Sequence, residues 1–427
     1  MKILVLSQYY WPESFRINEV VDVLRQHGCD VMVLTGQPNY PSGTVFDGYR
    51  SSSLCRQEHA GYVIHRVPMV PRGRGTALRL AANYLSFLFS ASLFGPWLLR
   101  GQRFDLIFVF GMSPILQVVP GVVLKWVKRA PLVTWVQDLW PQSLEVTGFV
   151  RNPTVLALVA QVVRWLYRRN DLLLVQSVGF IEEVRRMAGR TPVEYHPNPG
   201  EVAFDAQHDG LPALTLKSGF NVVFAGNLGT VQALETVLEA ARLLSHLPNI
   251  RFVLVGSGSR SEWLQAEIDR LKLVNIQLTG RFPPDAMPGI LAQASALLVS
   301  LARSPIMSQT IPSKVQAYLA AGKPIIASLD GEGARVVAEA EAGLSCPAEN
   351  AAALAAAVVQ LEAADAAALR KMGKSGRLYY EAHFQPDHLA MQLINRLERL
   401  LDEQPHHAKR KQRSNGHGHG HGTDDAR

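Results

Sequence analysis

The chain has 427 residues, of which 48% are hydrophobic and 19% charged, and its formal net charge is +7 at pH 7. This length exceeds one hydrophobic core of ordinary size, so we predict two domains, and the composition excludes a collagen-like or wholly disordered protein. The three cysteines are far apart and form no metal-ligand pattern with histidine, which excludes a disulfide framework and indicates a reducing compartment.

The positive charge is concentrated in the first 200 residues, which hold about 21 Lys and Arg against about 13 Asp and Glu. A basic half of this kind favours contact with nucleic acid or with an anionic membrane surface. Apolar segments in the same half favour the membrane, and no nucleic-acid partner is expected.

The first 200 residues alternate between predicted strands and helices. The stretch "KILVLS", the amphipathic residues 13–27 and the stretch "DVMVLTG" predict a strand, a helix and a strand, with Gly28 ending the helix. We interpret the N-terminus as this first strand and not as a signal peptide, because "YYWPESFR" interrupts the apolar run. Further predicted strands are "YVIHRVP", "FDLIFVF", "PLVTWVQD", "DLLLVQS" and "VEYHPNP", with helices that include residues 114–128 and 153–169. Such apolar strands are typical of a parallel sheet, so residues 1–200 are predicted to form one Rossmann-like domain.

Residues 80–99, "LAANYLSFLFSASLFGPWLL", are long enough to span a bilayer as a helix. The segment contains Asn83, three serines and Pro96, and it lies where the alternation requires a helix between two strands. We therefore predict a helix that lies in the membrane interface, with flanking arginines near lipid phosphates. A fully buried domain helix is the alternative.

A polar linker is predicted over residues 201–218, followed by a second series of alternating elements over residues 219–402. Its strands are "FNVVFAG", "IRFVLVG", "IQLTG", "ALLVSL" and "PIIASL", and Ala-rich helices follow. The fold class is therefore α/β, with two Rossmann-like domains, and ligands are expected beyond the carboxyl ends of the strands. Residues 403–427 are rich in His and Gly and predict a disordered tail, whose three spaced histidines are at most a weak metal ligand set.

The stretch "TIPSKVQAYLAAGKP" predicts a helix that Thr310 or a neighbour caps and that Gly322 ends. The backbone amides of Ser313 and Lys314 then lack intrahelical partners. Together with the positive helix end and the Lys314 ammonium they predict a site for a phosphate or diphosphate. The alternative is that Lys314 is an ordinary solvated lysine.

Two glycine-rich turns follow predicted strands of the second domain. "VVFAGNLG" contains Gly226, Asn227 and Gly229, and "FVLVGSGS" contains Gly256. Glycine at such positions allows the backbone to approach a ligand closely, although turns between strands and helices also use glycine for steric reasons alone.

In this order, the stretches "VVFAGNLG", "FVLVGSGS", "IQLTGRFPPDAMPGILAQASALLVSL" and "IPSKVQAYLAAGKPIIASLDGEG" resemble the donor-binding domain of glycosyltransferase family 4. "LSQYYWPESFRINEV" and "TWVQDLWPQSL" resemble its branch of bacterial surface-polysaccharide enzymes, which includes colanic acid and O-antigen synthesis. The resemblance implies the GT-B fold, with two domains facing across a cleft and C-terminal helices packing back toward the N-terminal domain.

The resemblance also implies an activity. It is the retaining, metal-independent transfer of a sugar, with fucose or N-acetylfucosamine suggested by the branch, from a UDP- or GDP-linked donor. The implied acceptor is a polyprenyl-diphosphate-linked oligosaccharide of exopolysaccharide, O-antigen or capsule synthesis. A cytoplasmic protein bound peripherally to the inner face of the plasma membrane, without a further cofactor, is therefore expected. A GT-B sugar-nucleotide epimerase and an inactive nucleotide-binding membrane scaffold remain as alternatives.

On this resemblance Lys314 stabilises the charge that grows on the leaving diphosphate. The donor would be bound by Gly226, Asn227, Gly229, Gly256, Arg281 and Ser313. The family commonly carries two glutamates where this chain has Gln309 and Ala317. Glu332 is one turn from the position of another family glutamate and is a candidate substitute, or else an ordinary exposed carboxylate at a helix start.

In the first domain, Gln137 and Asp138 follow a predicted strand where the family often has a His-Asp pair. We predict that they face the cleft and orient the sugar or the acceptor, although Asp138 is also suited to capping the next turn. Arg16, Asn18 and Glu19 follow the first strand and are candidates for the same cleft.

Overall fold

The computed structural model describes residues 1–146, 152–200 and 214–403, which form two compact units. The first unit contains residues 1–174, 184–194 and 390–403, and the second contains residues 175–183, 195–200 and 214–389. The division differs from the predicted domains because the chain passes between the units near residues 175–195 and because its last helix belongs to the first unit. Most of the predicted linker and nearly all of the predicted tail lie outside the described residues.

The first unit is built on an eight-stranded sheet with the order β3-β4-β2-β1-β5-β6-β7-β8. The strands are β1 (Lys2–Leu6), β2 (Asp30–Thr35), β3 (Cys55–His59), β4 (Tyr62–Arg66), β5 (Leu106–Gly111), β6 (Leu132–Val136), β7 (Leu172–Val175) and β8 (Val193–Tyr195). The neighbouring strands in the part β4-β2-β1-β5-β6 of this order are parallel to one another, as predicted. The antiparallel edge strand β3 was not predicted, because its sequence "CRQEH" is polar and lacks an apolar run.

Among the described residues, six helices connect these strands. They are α1 (Arg16–Gln26), α2 (Ala77–Leu98), α3 (Val118–Lys128), α4 (Gln142–Val146), α5 (Pro153–Tyr167) and α6 (Ile181–Ala188). The predicted helix over residues 114–128 begins with a short 3-10 turn before α3. The core of the unit combines β1, β2 and β5 with the apolar face of α1.

The apolar helix α2 is fixed to the sheet by a buried amide. Asn83 is fully buried, and its Oδ1 accepts hydrogen bonds from Gln8 Nε2 and from the Tyr9 hydroxyl, each at 2.8 Å. Its Nδ2 donates to the carbonyl oxygen of Val70 at 2.6 Å. Because Gln8 and Tyr9 follow β1 directly, this network ties the helix to the carboxyl end of the central strand.

The second unit contains a six-stranded sheet with the order β11-β10-β9-β12-β13-β14, and all its neighbouring strands are parallel. The strands are β9 (Phe220–Ala225), β10 (Ile250–Val255), β11 (Ile276–Gly280), β12 (Ala296–Ser300), β13 (Ile325–Ser328) and β14 (Gly343–Cys346). The helices of the rest of the chain are α7 (Leu234–Leu243), α8 (Ser261–Leu271), α9 (Met287–Leu291), α10 (Ser313–Ala321), α11 (Glu332–Glu339), α12 (Ala351–Glu362), α13 (Ala366–His383) and α14 (Pro386–Asp402).

The last helix returns to the first unit. Leu393, Leu397 and Leu401 of α14 are buried in the same core as β1 and β2. The preceding helix α13 stays in the second unit, where Gly373 packs against the end of α10. The predicted return of the C-terminal helices is therefore confirmed for α14.

We expect the substitution Asn83→Leu to lower the free energy of unfolding of the first unit by about 2–4 kcal/mol, because three buried polar groups lose their partner. Leu85→Ala, at a half-exposed position of the same helix, is the control and should change stability by less than about 1 kcal/mol. Six of the seven tryptophans lie in the first unit, so denaturation followed by tryptophan fluorescence reports on it. Equal stability of the two variants would contradict this role of Asn83.

Candidate functional site

A cavity of about 610 Å³ lies in the second unit, beyond the carboxyl ends of β9 and β10 and beside the start of α10. Its wall consists of backbone and side chains from the ends of β9, β10 and β11 with the three turns that follow them, and from α9 and α10: Ala225, Gly226, Asn227, Val255, Gly256, Ser257, Gly258, Arg281, Phe282, Pro284, Met287, Leu291, Ser313, Lys314, Ala317 and Tyr318. This location agrees with the rule that ligands of parallel sheets bind beyond the strand ends.

The glycines of the cavity allow two strand ends to approach each other. Gly256 has a φ of 143°, and a Cβ atom built on it would lie 1.9 Å from the carbonyl oxygen of Gly226. Gly226 has a φ of 133°, and its Cβ would lie 2.8 Å from Lys314 Cε. Both positions therefore require glycine for packing within the protein, before any ligand is considered.

Lys314 lies between the end of β9 and the cavity. Its Nζ is 4.9 Å from the centroid of the Phe224 ring, and burial lowers the pKa of its ammonium group. In the described part of the chain, no carboxylate forms an ion pair with it. The positive charge is therefore partly desolvated and directed toward the cavity, where an anion would offset the loss of water.

The helix that carries Lys314 begins differently from the prediction. The residue that caps α10 is Pro312, without a side-chain hydrogen bond, and Thr310 donates its hydroxyl to the carbonyl oxygen of Met307 instead. Of the predicted candidates, Thr310 or a neighbour, Thr310 is therefore not the capping residue. Gly322, with a φ of 64°, ends the helix as predicted. The backbone amides of Ser313 and Lys314 lie in the first turn, ahead of the hydrogen bonds that the helix makes with itself.

Tyr318 fixes the start of α10 to the strand end. The tyrosine is buried, and its hydroxyl oxygen accepts a hydrogen bond from the backbone amide of Ala225 at 2.8 Å. The sequence analysis does not predict the bond between the Tyr318 hydroxyl and β9. A buried tyrosine needs a partner for its hydroxyl, and this general requirement was the available signal.

The opposite wall of the cavity is apolar apart from one arginine. Arg281 was named from the sequence, whereas Phe282, Met287 and Leu291 were not. No Asp or Glu is present among the described residues that line the cavity. An aromatic and aliphatic wall beside two cations is suited to a ligand with a flat apolar part and an anionic part.

The other predicted residues of the second unit lie outside this wall. The backbone amide of Gly229 donates to Gln232 Oε1 at 3.1 Å. Glu332 receives two hydrogen bonds from the Arg335 guanidinium, at 2.8 and 3.1 Å, and is engaged by its own helix α11. Ala317 lines the cavity, so one position of an expected family glutamate is part of the site but carries a methyl group. The ligand roles of Gly229 and Glu332 stay predictions.

Gln137 and Asp138 lie at the carboxyl end of β6 in the first unit, as predicted from the sequence. The backbone amide of Gln137 donates to the carbonyl oxygen of Gly111 at 3.0 Å. Asp138 Oδ2 accepts a hydrogen bond from the backbone amide of Ser113 at 2.8 Å, so this carboxylate orders the turn after β5. Their catalytic role stays a prediction.

A buried glutamate in the first unit was missed by the sequence analysis. Glu13 is 2% exposed, and its carboxylate accepts hydrogen bonds from the backbone amides of Tyr10, at 3.1 Å, and of Asn39 and Tyr40, each at 2.7 Å. Burial raises the pKa of this carboxyl to about 7, although the three amides and the charge of Arg66 act in the opposite direction. Its sequence neighbourhood, "WPESF", resembles a solvated turn and gave no signal.

Arg16, Asn18 and Glu19, the candidates for the cleft, follow Glu13 in the chain and bond to neighbouring residues, and their role in a cleft stays a prediction. Arg16 Nη1 and Glu19 Oε2 form an ion pair at 3.1 Å. Asn18 accepts a hydrogen bond from the amide of Trp11 at 3.1 Å and donates to the carbonyl oxygen of Glu13 at 2.7 Å. Asn18 therefore orders the turn that places Glu13. Within the described residues no group of three or more His, Cys, Asp or Glu side chains is arranged to hold a metal ion.

Models of two protein families match this chain. Residues 14–199 match the family described as "Glycosyl transferase 4-like domain", and residues 219–363 match "Glycosyl transferases group 1". WcaI of Escherichia coli strain K12, assigned to colanic acid biosynthesis as a glycosyl transferase, is 30% identical over 341 residues, which are 75% of this chain and 82% of WcaI. WbjE of Pseudomonas aeruginosa, assigned as a glycosyltransferase, is 25% identical over 304 residues, 68% of this chain and 73% of WbjE.

Solved structures show the same architecture at low sequence identity. HepE of Anabaena, crystallised in complex with UDP, superposes with a TM-score of 0.66 at 15% identity, covering 93% of this chain and 100% of HepE. Sucrose-phosphate synthase of Thermosynechococcus elongatus also has a TM-score of 0.66, at 17% identity, covering 94% of this chain and 99% of that protein. At such identities the likeness establishes the fold.

We expect Gly256→Ala to reduce binding of inorganic pyrophosphate to the cavity at least about tenfold, because the new methyl group displaces the Gly226 carbonyl and with it Lys314. The control is Gly28→Ala, which also has a positive φ but has no atom within 4 Å of the added carbon. Calorimetry of both variants measures the difference. The packing argument fails if both variants bind pyrophosphate equally well.

Glu13 predicts a pH dependence of stability. The pKa of its carboxyl in the folded protein is about 7, above the ordinary value of 4.5. Between pH 4.5 and about 7 this carboxyl therefore holds its proton in the folded protein but loses it in the unfolded chain. The stability that this group contributes is complete below pH 4.5 and is lost as the pH rises through about 7. Relative to Glu13→Gln, the wild type should lose about 3 kcal/mol of unfolding free energy between pH 4.5 and pH 8. The control is Glu58→Gln, at an exposed ion pair, which should show no such difference from the wild type. If the unfolding free energies of the wild type and Glu13→Gln change with pH in parallel, the raised pKa does not belong to Glu13.

Proposed function

The chain belongs to the family 4 glycosyltransferases, which have the GT-B fold, and from this premise we propose that it transfers a sugar from a UDP- or GDP-linked donor to a polyprenyl-diphosphate-linked oligosaccharide. The transfer is proposed to be retaining and independent of a metal ion. Fucose or N-acetylfucosamine is the proposed sugar, as the branch suggests, and the proposed pathway class is the synthesis of exopolysaccharide, O-antigen or capsule.

One observation carries the proposal for the donor. The cavity of the second unit has the Lys314 ammonium and the first amides of α10 at one end, an arginine in its opposite wall and no described carboxylate in its wall. A nucleoside diphosphate has the matching parts, since its diphosphate is anionic and its base is flat. We place the diphosphate at Ser313 and Lys314, and the base against the apolar wall near Phe282.

The chemistry then follows from the charge that develops. The bond between the anomeric carbon and the diphosphate oxygen breaks, and its electron pair moves to that oxygen, which lies near Lys314 and the helix amides. The acceptor hydroxyl forms the new bond on the same face and gives its proton to the departing phosphate oxygen. This route gives retention without a protein nucleophile, which is consistent with Ala317 in the wall where family members carry a glutamate.

The acceptor side is assigned to the first unit. Asp138 and Gln137 lie at the carboxyl edge of its sheet, and we propose that they orient the acceptor or the sugar hydroxyls. The side chain of Asp138 has a free lone pair for this task besides the bond from Ser113, because a carboxylate accepts several hydrogen bonds.

A membrane-facing surface is proposed on the same unit. Helix α2 is long and apolar enough to cross a membrane, but one face is buried against the sheet while the other exposes large apolar side chains. The exposed ones are Leu78, Leu85, Phe89, Leu93 and Trp97, and α3 and α5 add Trp126, Val127, Leu158 and Trp165. An apolar surface within a basic unit supports peripheral attachment to the anionic inner face of the plasma membrane.

Lys314→Met should lower kcat for sugar transfer by about 10²–10³, because it removes fixed charge from the leaving group. Lys314→Arg should keep part of the activity, since the charge remains. Burial lowers the pKa of Lys314, so the wild type should lose affinity for pyrophosphate at a lower pH than that at which an ordinary lysine loses its charge. The affinity of Lys314→Arg should not change over this pH range, because the guanidinium keeps its charge. A transfer rate that is unchanged in Lys314→Met would exclude this role.

The assay uses the full chain, a panel of UDP- and GDP-sugars and a bacterial membrane extract as acceptor. Sugar incorporated into lipid-linked material supports the proposal. An epimerised nucleotide sugar formed without acceptor would instead identify an epimerase. Nucleotide affinity without turnover by any donor would identify an inactive scaffold.

A further inference from the structure

A second concave surface, which the donor cavity does not include, lies on the first unit beside α2. It encloses about 450 Å³ between one face of this helix and two neighbouring segments of the chain. We call it the α2 groove. It is lined by Ser51, Ser52, Pro68, Met69, Val70, Pro71, Ser86, Phe89, Ser90, Leu93 and Phe94, and none of these described residues is charged. Its volume is within the range of pockets that bind small molecules.

Two of the four serines of the α2 groove have their hydroxyls engaged within the protein. The Ser90 hydroxyl donates to the carbonyl oxygen of Pro68 at 2.6 Å. The Ser86 hydroxyl oxygen accepts from the amide of Val70 at 2.9 Å, and its proton goes to the carbonyl oxygen of Asn83, also at 2.9 Å. These hydroxyls are used to fix the helix to residues 68–70, so the space between them presents carbon atoms to a ligand.

The outer wall of the α2 groove is exposed to solvent. Phe89 is 66% exposed and Leu93 is 70% exposed, and both belong to the apolar stripe of α2. Large apolar side chains that remain exposed around a groove indicate an apolar ligand or an apolar phase that covers them. The groove therefore opens on the surface that we propose to face the membrane.

An arginine follows the groove wall in the chain. Arg72 comes directly after Pro71, and its backbone amide donates to Asn39 Oδ1 at 3.0 Å. Its guanidinium lies over the rings of Tyr40, at 5.0 Å, and Tyr9, at 5.7 Å. In the described part of the chain no carboxylate forms an ion pair with Arg72. A guanidinium without an ion pair, on the residue that directly follows the groove wall, matches a molecule with an apolar chain and a phosphate head.

We propose that the α2 groove holds the first isoprene units of a polyprenyl diphosphate, with the diphosphate at Arg72. This inference rests on the proposed function, because it assigns a place to the lipid of the proposed acceptor. Tyr9 and Gln8 follow β1, so the diphosphate at Arg72 is next to the carboxyl edge of the sheet, where Asp138 also lies. The groove thereby gives the acceptor a direction, with the lipid toward α2 and the sugar toward that edge.

The test is calorimetric titration of the full chain with farnesyl diphosphate, without vesicles. All proteins carry Lys314→Met, so that the cavity of the second unit contributes little to diphosphate binding. Leu93→Asp changes an exposed residue of the groove, and Leu78→Asp changes a residue of the same helix that is 83% exposed and lies outside the groove. We expect Leu93→Asp to weaken binding at least about tenfold and Leu78→Asp to change it less than about twofold. Arg72→Gln should weaken the binding of farnesyl diphosphate more than the binding of farnesol, because only the former carries a diphosphate.

Three results would overturn the proposal. They are an equal effect of Leu93→Asp and Leu78→Asp, binding of inorganic pyrophosphate as tight as that of farnesyl diphosphate, and binding of dihexanoylphosphatidic acid as tight as that of farnesyl diphosphate. The first result shows that the groove does not bind the ligand. The second shows that the isoprenoid chain does not contribute to affinity, and the third shows that the groove also binds phospholipid acyl chains.

Sugar transfer distinguishes this inference from the proposed function. If the wild type transfers sugar to a polyprenyl-linked acceptor and Leu93→Asp alone leaves the KM for that acceptor unchanged, the groove assignment is wrong and the function stands. The opposite outcome is that Leu93→Asp weakens farnesyl diphosphate binding as expected while no lipid-linked acceptor is glycosylated with any donor. In that case the proposed function is wrong, and the groove remains a binding site for isoprenoid diphosphates.

Discussion

The close approach of helix α10 to the end of strand β9 is the constraint on which the second unit's cavity depends. Lys314 lies against Gly226, and Tyr318 bonds to the amide of Ala225, so that the helix start, the cation and the strand end are fixed as one structure. Gly256 brings the end of β10 to the same point. Because these contacts are made by backbone and by buried side chains, the positive end of the cavity exists before a ligand arrives, which is the condition for electrostatic preorganisation.

One position where the family carries a glutamate lies in the cavity wall, and the candidate substitute Glu332 does not. Ala317 occupies part of the cavity wall, and Glu332 is engaged by Arg335 within its own helix. The remaining polar character of the wall comes from backbone, Ser, Asn, Arg and Lys. A wall of this kind is suited to an anion, because its charges and amides attract phosphate and no described carboxylate in it repels phosphate.

The first unit combines an ordered carboxyl edge with an apolar outer surface. Asn83 joins the two, because it belongs to the apolar helix α2 but bonds to residues that follow β1. Glu13 orders the neighbouring turns through three backbone amides, and its burial ties that order to its protonation. Positions that look like irregular turns in the sequence therefore form a fixed surface between the sheet edge and the helix that we propose to contact lipid.

The sequence by itself determined the alternation of apolar strands and helices and the end of α10 at Gly322, because these depend on local periodicity and on residues adjacent in the chain. It did not predict the polar edge strand β3, Pro312 as the residue before α10, the buried carboxylate of Glu13 or the apolar wall at Phe282. Only the tertiary structure decided these, because each depends on the burial and hydrogen bonding that distant segments provide. Pairing across a sheet and desolvation of a side chain are properties of the assembled fold, and no local pattern encodes them.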